Sequence, residues 1–245
     1  MKRLLLLGGM TPTATVLYYD TINRIVRSKL GARNNASLFM YSANLEDMVQ
    51  FAGAGDWDAF AKVYTDAITP LIGHVDGVVI CAILAHRVSS QLARSLSSTN
   101  VPLLHIADYV AKHLKSEYPH IRTLGLLGPQ ITMQEVDDPD FFIGRLQRLE
   151  HEFEVLVPET PADREEVNFG MMNEVTKGAA AVTPQTKAMF IRHARKLLER
   201  GAQAIILGST DLGFVVHKED LGEGVLVIEP ASVHAQEVAK WALQD

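Results

Sequence analysis

Two short stretches of this sequence hold residues suited to moving a proton or holding a small anion. His86 follows the apolar run Val78-Val79-Ile80-Cys81-Ala82-Ile83-Leu84-Ala85, and Gly208-Ser209-Thr210-Asp211 follows Ala204-Ile205-Ile206-Leu207. Runs of this kind read as buried parallel strands. In open α/β sheets ligands gather outside the carboxyl ends of the strands, so His86 and the Ser209-Thr210-Asp211 triplet both stand where a site is expected. An imidazole titrates near neutrality and serves as acid or base. The Ser209 and Thr210 hydroxyls suit donation to a bound anion, with Asp211 orienting His86 or capping the next helix. A hydrolytic Ser-His-Asp arrangement, the less common outcome, requires His86 to reach Ser209 Oγ.

Gly8-Gly9-Met10-Thr11 supplies a third stretch, at the turn between a first strand and a first helix. Glycines there allow close backbone approach, and the free N–H groups of the helix favour a carboxylate or phosphate. The alternative is a tight turn in which Thr11 or Thr13 merely caps the helix. The run is neither GxGxxG nor a Walker loop. Cys81 reads as a buried thiol on the strand face opposite its neighbour Ala82, or as a thiol swung toward the ligand by a bulge, with His86 lowering its pKa. His86 itself acts on a proton or supports a helix start. His105, His193, His217 and His234 read as structural or solvent-facing, and their placement shows no metal spacing.

The elements that must position these groups alternate. Strands are expected at Arg3–Leu7, Leu38–Ser42, Val78–Leu84, Val101–Asp108, Thr123–Leu127, Ala204–Leu207 and Leu226–Ile228. Helices are expected after the first loop to about Leu30, from Leu45, from Asp56, from His86 to Leu96, from Tyr109 to Lys115, around Val167 to Lys177 and from Pro184. Pro158 to Asn168 reads as a loop, and Gly178 as a helix-ending glycine. Strand followed by helix, repeated, argues a doubly wound parallel sheet. The pattern restarts: 123–130 resembles 4–12, 204–212 resembles 78–86 and 226–231 resembles 103–108, at offsets of about 120 to 127 residues. Two similar lobes follow: 1–108 plus 222–245, with the last strand and helix returning to the first lobe, and 109–221.

Bulk composition narrows the function class. The 245 residues carry a net charge of -6 with scattered cations, which argues against nucleic acid or an anionic membrane as partner and for small-molecule chemistry. One cysteine excludes an internal disulfide and suits a reducing, cytoplasmic setting. Leu4 to Leu7 falls short of the roughly 7–15 residues of a signal-peptide core, and no stretch reaches the about 20 apolar residues of a membrane span.

In order along nearly the whole chain stand Gly8-Gly9-Met10-Thr11, Tyr18-Tyr19, Cys81 to His86, His105-Ile106-Ala107-Asp108, Leu127-Gly128 with Thr132-Met133, Glu174 to Gly178, Gly208 to Asp211 and Val233-His234-Ala235. Together these resemble the aspartate/glutamate racemase family of cofactor-independent amino-acid racemases. The resemblance implies an α/β fold of two pseudo-symmetric Rossmann-like lobes with mainly parallel sheets, an active-site cleft between them, and a homodimer. It implies two cysteines, one per lobe, that exchange a proton on opposite faces of a substrate α-carbon. Such chemistry needs depressed thiol pKa values and several donors to the carboxylate.

This sequence departs from that pattern. Where the family has Cys-Asn-Thr-x-His, counting back from His86 gives Ala82, Ile83 and Leu84; where it has Gly-Cys-Thr-Glu, Ser209 replaces the thiol and Asp211 the glutamate. The expected machinery is therefore His86, Ser209, Asp211, Lys177 and Cys81 for chemistry. Gly9, Met10, Thr11, Asn44, Ala82, Ile83, Leu84, Thr132 and Thr210 are expected around the substrate, with no metal and no cofactor. The expected function is a divergent isomerase acting on a small carboxylate- or carbonyl-bearing molecule less polar than aspartate. The alternatives are a binding pseudoenzyme, or a decarboxylase, lyase or hydrolase on the same fold.

Overall fold

The computed structural model describes residues 1–134, 138–148 and 151–244. The chain divides into two compact units, Met1–Tyr109 with Ala231–Asp245, and Val110–Pro230.

The first unit is built on a parallel four-stranded sheet of order β2-β1-β3-β4, from β1 (Leu4–Gly8), β2 (Leu38–Ser42), β3 (Gly77–Ile80) and β4 (Leu103–Leu104). Its alternation is legible in β1 itself. Leu4 and Leu6 face a core shared with α1 (Pro12–Leu30) and α11 (Pro230–Ala242), through Tyr18, Ile22, Ala235 and Val238. Leu5 and Leu7 face the other way, onto Phe60 and Tyr64 of α3 (Trp57–Ile68), Met48 of α2 (Leu45–Ala54) and Leu92 of α4 (Ser89–Leu96). All four leucines are fully buried, as a strand covered on both faces requires. β2 ends the sheet order on one side. The chain leaves the unit through α5 (Ile106–Glu117).

The second unit repeats the order as β6-β5-β7-β8, all parallel, from β5 (Thr123–Leu127), β6 (Glu154–Leu156), β7 (Ala204–Leu207) and β8 (Leu226–Ile228). Around it run α6 (Gln130–Gln134), α7 (Phe142–Gln147), α8 (Pro161–Asn173), α9 (Pro184–Glu199) and α10 (Lys218–Leu221). Val167, Met171, Phe190, Leu197, Ile205 and Leu207 centre its core. Two sheets of identical strand order are the pseudo-symmetry that the sequence offsets point to. Among the described residues no helix is long and apolar enough to cross a membrane.

Several elements differ from expectation. The last strand does not return to the first lobe: β8 pairs with β7, Ala204 opposite Leu226, because a strand directly after the β7 crossover is added beside it. Only the helix after it, α11, packs on the first sheet. The run from Val78 stops being a strand at Ile80, and Leu84–Val88 forms a 3-10 turn, so His86 lies in that turn and α4 starts at Ser89. Val101–Asp108 is mostly not strand, since β4 spans two residues and α5 begins at Ile106. The expected loop at 158–168 is largely helix: Thr160 and Asp163 form a capping box and Pro161 takes the first helical position, a start signal present in the sequence.

Candidate functional site

Each unit brings its expected residues to the carboxyl ends of its own strands. In the first unit, the turn after β1 is held shut by its own side chains. Gly9 N–H donates to Thr15 Oγ1 at 3.1 Å, Ala14 N–H to the capping Thr11 Oγ1 at 3.2 Å, and the Thr15 hydroxyl to the Thr11 carbonyl at 3.1 Å. Gly9 has φ +105, and a Cβ there would lie 2.3 Å from Ala43 N, so glycine is required by both conformation and space. Of the two readings left open by the sequence, the geometry favours the tight capped turn over an anion cradle at Gly9, whose amide is already bonded. Met10 and Thr11 remain half-buried, and Asn44, at the start of α2, is exposed with no side-chain capping bond.

After β3 the side chains keep alternating. Cys81 N–H bonds the Leu7 carbonyl at 2.9 Å, continuing the ladder one residue past the strand. Its side chain joins the Leu4, Leu6 and Tyr18 core and is 1% exposed, and burial pushes the thiol well above its ordinary value. Ala82 and Leu84 pack toward the opposite core, and Ile83 is buried. A thiolate at Cys81 is thus disfavoured, and the bulge that would bring it toward a ligand is not formed.

His86 is fully buried, with both ring nitrogens engaged. Its Nδ1 lies 2.8 Å from the Ala82 carbonyl oxygen, and Ile106 N–H donates to Nε2 at 3.1 Å. A carbonyl only accepts and an amide only donates, so the ring is the neutral Nδ1–H tautomer. Neither nitrogen can take up a proton while both bonds stand. The expectation of a general base here gives way to a brace: His86 ties the turn after β3 to the start of α5.

Two more histidines complete this interior cluster. The His105 ring lies 4.4 Å from that of His86, and its Nδ1 accepts from Ala107 N–H at 3.1 Å, capping α5. His234 Nδ1 lies 2.8 Å from the Tyr18 hydroxyl. Burial pushes the Tyr18 phenol up, so it keeps its proton and donates it. His234 Nε2 then carries the ring hydrogen, facing the Leu104 carbonyl without reaching hydrogen-bond geometry. Burial holds His234 well below the ordinary histidine value.

In the second unit the loops after β5 and β7 touch backbone to backbone. Gly208 N–H bonds the Leu127 carbonyl at 2.6 Å, and a Cβ on Gly128 would lie 3.0 Å from Gly208 Cα. These glycines place Thr132, on α6, and Ser209-Thr210-Asp211 on adjacent loops. The Thr132 hydroxyl is fully buried and makes no hydrogen bond with the described residues. Ser209 caps the 3-10 turn Thr210–Phe214 by accepting from Asp211 N–H at 3.4 Å, which leaves its own hydroxyl hydrogen to donate outward. Ser209 and Thr210 are half-buried. Asp211 is 6% exposed, no described residue hydrogen-bonds its carboxylate, and burial raises its pKa. A carboxyl held in that way is suited to exchanging a proton.

Lys177 ends the 3-10 turn Val175–Lys177, ahead of Gly178 at φ +98, and is exposed; its charge is one of several influences, after the Thr183 amide, that lower Glu174. One grouping was not expected. His193 of α9 is 1% exposed, its Nε2 2.7 Å from Glu166 and its Nδ1 3.7 Å from Asp163. These are metal-ligand types in proximity, but Arg192 reaches Glu166 at 2.5 Å and Lys196 reaches Asp163 at 3.3 Å. The cations already balance the carboxylates, so the cluster serves to pin α8 to α9. Only tertiary packing joins residues 26 to 33 positions apart, which is why spacing did not show it.

With this geometry in place, comparisons with known proteins bear on the reading. The family model described as Asp/Glu/hydantoin racemase matches residues 7–238. Among solved structures, the chain is similar to a candidate Asp/Glu racemase from Yersinia pestis, at 32% identity over 100% of both chains with a TM-score of 0.87. It is also similar to an aspartate racemase homologue from Pyrococcus horikoshii OT3, at 27% identity over 100% of both chains with a TM-score of 0.77. An aspartate racemase from Picrophilus torridus shares the fold, at 17% identity over 99% of this chain and 94% of that one, with a TM-score of 0.67.

Proposed function

We propose, from the premise that this chain belongs to the Asp/Glu/hydantoin racemase family, that it is a divergent isomerase of that family. It moves a proton on a small carboxylate- or carbonyl-bearing molecule without a cofactor, and standard aspartate or glutamate racemisation is not its reaction. One observation carries this reading: neither position at which the resemblance expects a thiol holds one. Ala82 has no proton-accepting group, Ser209 has a hydroxyl, and the sole thiol, Cys81, is sealed in a core that holds it protonated. An unassisted serine hydroxyl is a poor base at neutral pH.

The remaining group fitted to take a proton is Asp211, with its raised pKa and unbonded carboxylate. A carboxylate is a weaker base than a thiolate, so the C–H it attacks must be more acidic than that of an amino acid. Carbon flanked by a neutral carbonyl or imide, as in a hydantoin ring, meets that condition. Thr132, Ser209 and Thr210 donate to the substrate's oxygen atoms, and Lys177 supplies positive charge near the entrance. Where the resemblance expects polar anchors this chain has Ile83 and Leu84, which cannot donate to a carboxylate, and that favours a substrate less polar than aspartate. His86 acts through position rather than by proton transfer. The protein works as two copies, in a reducing compartment.

Exchange in deuterated water tests this. Aspartate and glutamate are expected to gain no deuterium at Cα, whereas 5-substituted hydantoins or comparably activated carboxylates gain it at the acidic carbon. Asp211→Asn is expected to slow that exchange by about 100-fold or more, the usual share of a general base. Turnover-rate deuterium uptake into aspartate overturns the reading. A second reading is favoured by the locked tautomer of His86: a binding protein that keeps the ligand contacts without the chemistry. It is distinguished by ligands that raise the Tm through mass action while no deuterium is incorporated.

A further inference from the structure

Nine large hydrophobic side chains are exposed among the described residues, and six of them, Val16, Tyr19, Leu30, Phe39, Met40 and Val49, fall within α1, β2 and α2. The concentration is what matters, since single exposed apolar residues need no explanation. On α1, Val16, Tyr19 and Leu30 share one side with Asn23, by their spacing of 3, 7 and 14 from Val16. Asn23 Oδ1 accepts from Ala36 N–H at 2.9 Å, in the segment leading into β2. This side of α1, which also carries the exposed Arg27 donating to Asn35 Oδ1, therefore borders the β2 edge of the sheet.

β2 is also an unprotected edge. It runs five residues, Phe39 and Met40 are each 42% exposed, and no charged residue or proline occurs from Asn34 to Asn44. The equivalent edge of the second sheet is defended: β6 is three residues long, carries exposed Glu154, and is followed by Val157, whose carbonyl accepts from Arg200 at 2.7 Å. Natural sheets blunt open edges with charge, shortness or coverage. One edge of this duplicated fold follows that rule and the other does not.

We infer that β2, flanked by α1 and α2, is the surface through which two copies of this chain associate, β2 pairing antiparallel with β2 of the second copy about a two-fold axis at Met40. In that register Leu38 faces Ser42 and Phe39 faces Tyr41, an arrangement that is self-complementary as a two-fold requires. Within the strand it brings no like charges together, which matters for a chain of net charge -6. The area is sufficient. Taking ~200 Å² for a fully exposed large side chain, the six present on the order of 500 Å² of surface. An interface of about 800 Å² per partner that is about 56–65% apolar needs roughly 450–520 Å² of it.

The inference gives a location to the two-copy reading above and rests on it. Light scattering coupled to size exclusion, at concentrations from about 1 to 100 μM, separates the two. The wild type is expected at twice the 27.0 kDa chain mass. Met40→Lys and, separately, Tyr19→Lys on α1 are expected to weaken dimerisation by roughly 100-fold, with helix content and Tm at high dilution unchanged. Slowed hydrogen exchange of the β2 amides as wild-type concentration rises is the second expected signature. A wild type that stays monomeric at 100 μM overturns both readings, even if another protein occupies the edge. A wild-type dimer that persists in both variants, with β2 exchange independent of concentration, overturns this surface alone.

Discussion

His86 shows how a side chain suited to catalysis can be committed to structure. Its Nδ1–H is directed at the Ala82 carbonyl and its Nε2 receives the Ile106 amide, all in the interior. Truncation to Ala would leave a buried carbonyl and a buried amide without partners, at about 1–3 kcal/mol each. His86→Ala is therefore expected to lower stability by about 2–6 kcal/mol in a chemical-denaturation series, and Asn, which carries a donor and an acceptor on a shorter arm, to recover only part of that. If His86 instead served mainly as a base, Ala would abolish exchange while leaving the denaturation midpoint unchanged. The sequence put a histidine at the right strand end, but its partners are backbone groups 4 and 20 residues away, and no residue-type pattern reports a backbone partner. Cys81 was more legible. Its burial follows from strand alternation, since Val79 and Cys81 share a face. Asp211 was legible as a candidate; that no described residue hydrogen-bonds its carboxylate was not, because that depends on what the fold leaves away from it.

Among the elements, the parallel strands were the easiest to read, because strands covered on both faces must be apolar throughout. Boundaries were harder where the apolar run outlasts the ladder. Cys81 to Ala85 looks like strand by composition, yet the β3–β1 pairing ends at Ile80, and burial by packing in a 3-10 turn keeps the residues apolar. The start of α8 was placed too late because its first turn is polar, although Thr160-Pro161-Ala162-Asp163 is a start signal in its own right. Thr160 accepts from Asp163 N–H at 3.0 Å, and its hydroxyl at 2.6 Å is the leading influence that lowers Asp163 to about 2. Thr160→Ala is expected to cost about 1 kcal/mol, read as a lower denaturation midpoint with an unchanged slope. Full retention of stability would show that the Asp163 pairs to Lys196 and His193, rather than the cap, hold the start of α8.

For the protein as a whole, the buried His234 sets a lower limit on pH. His234 is neutral when folded, with its pKa well below the unfolded value of 6.5. The unfolded chain therefore binds a proton that the folded chain refuses. Below about pH 6.5 stability falls as pH falls, by up to about 1.4 kcal/mol per pH unit for this one group, until the folded-state pKa is reached; above pH 6.5 this contribution is constant. His234→Gln is expected to flatten the acid side of a stability-versus-pH curve between pH 6.5 and 5, whatever it costs at neutrality. An unaltered slope would assign that limit to other groups. The duplication was readable from offsets alone, and the identical sheet orders follow it. What the offsets did not reveal was where the second repeat stops, since β8 and α11 are adjacent in sequence and serve different sheets.

That division bears on the order in which the chain takes shape during synthesis. Residues 110–230 are contiguous, so the second unit has all its parts as soon as β8 leaves the ribosome. The first unit emerges earlier but lacks one helical cover: Ala235, Val238 and Ala239, which lie against Leu4, Leu6 and Tyr18, are translated only after the whole second unit. The nascent amino-terminal half must wait with that side of its sheet covered by α1 alone. It is the half in need of chaperone shelter, and the one that shortening at the carboxyl terminus would injure first.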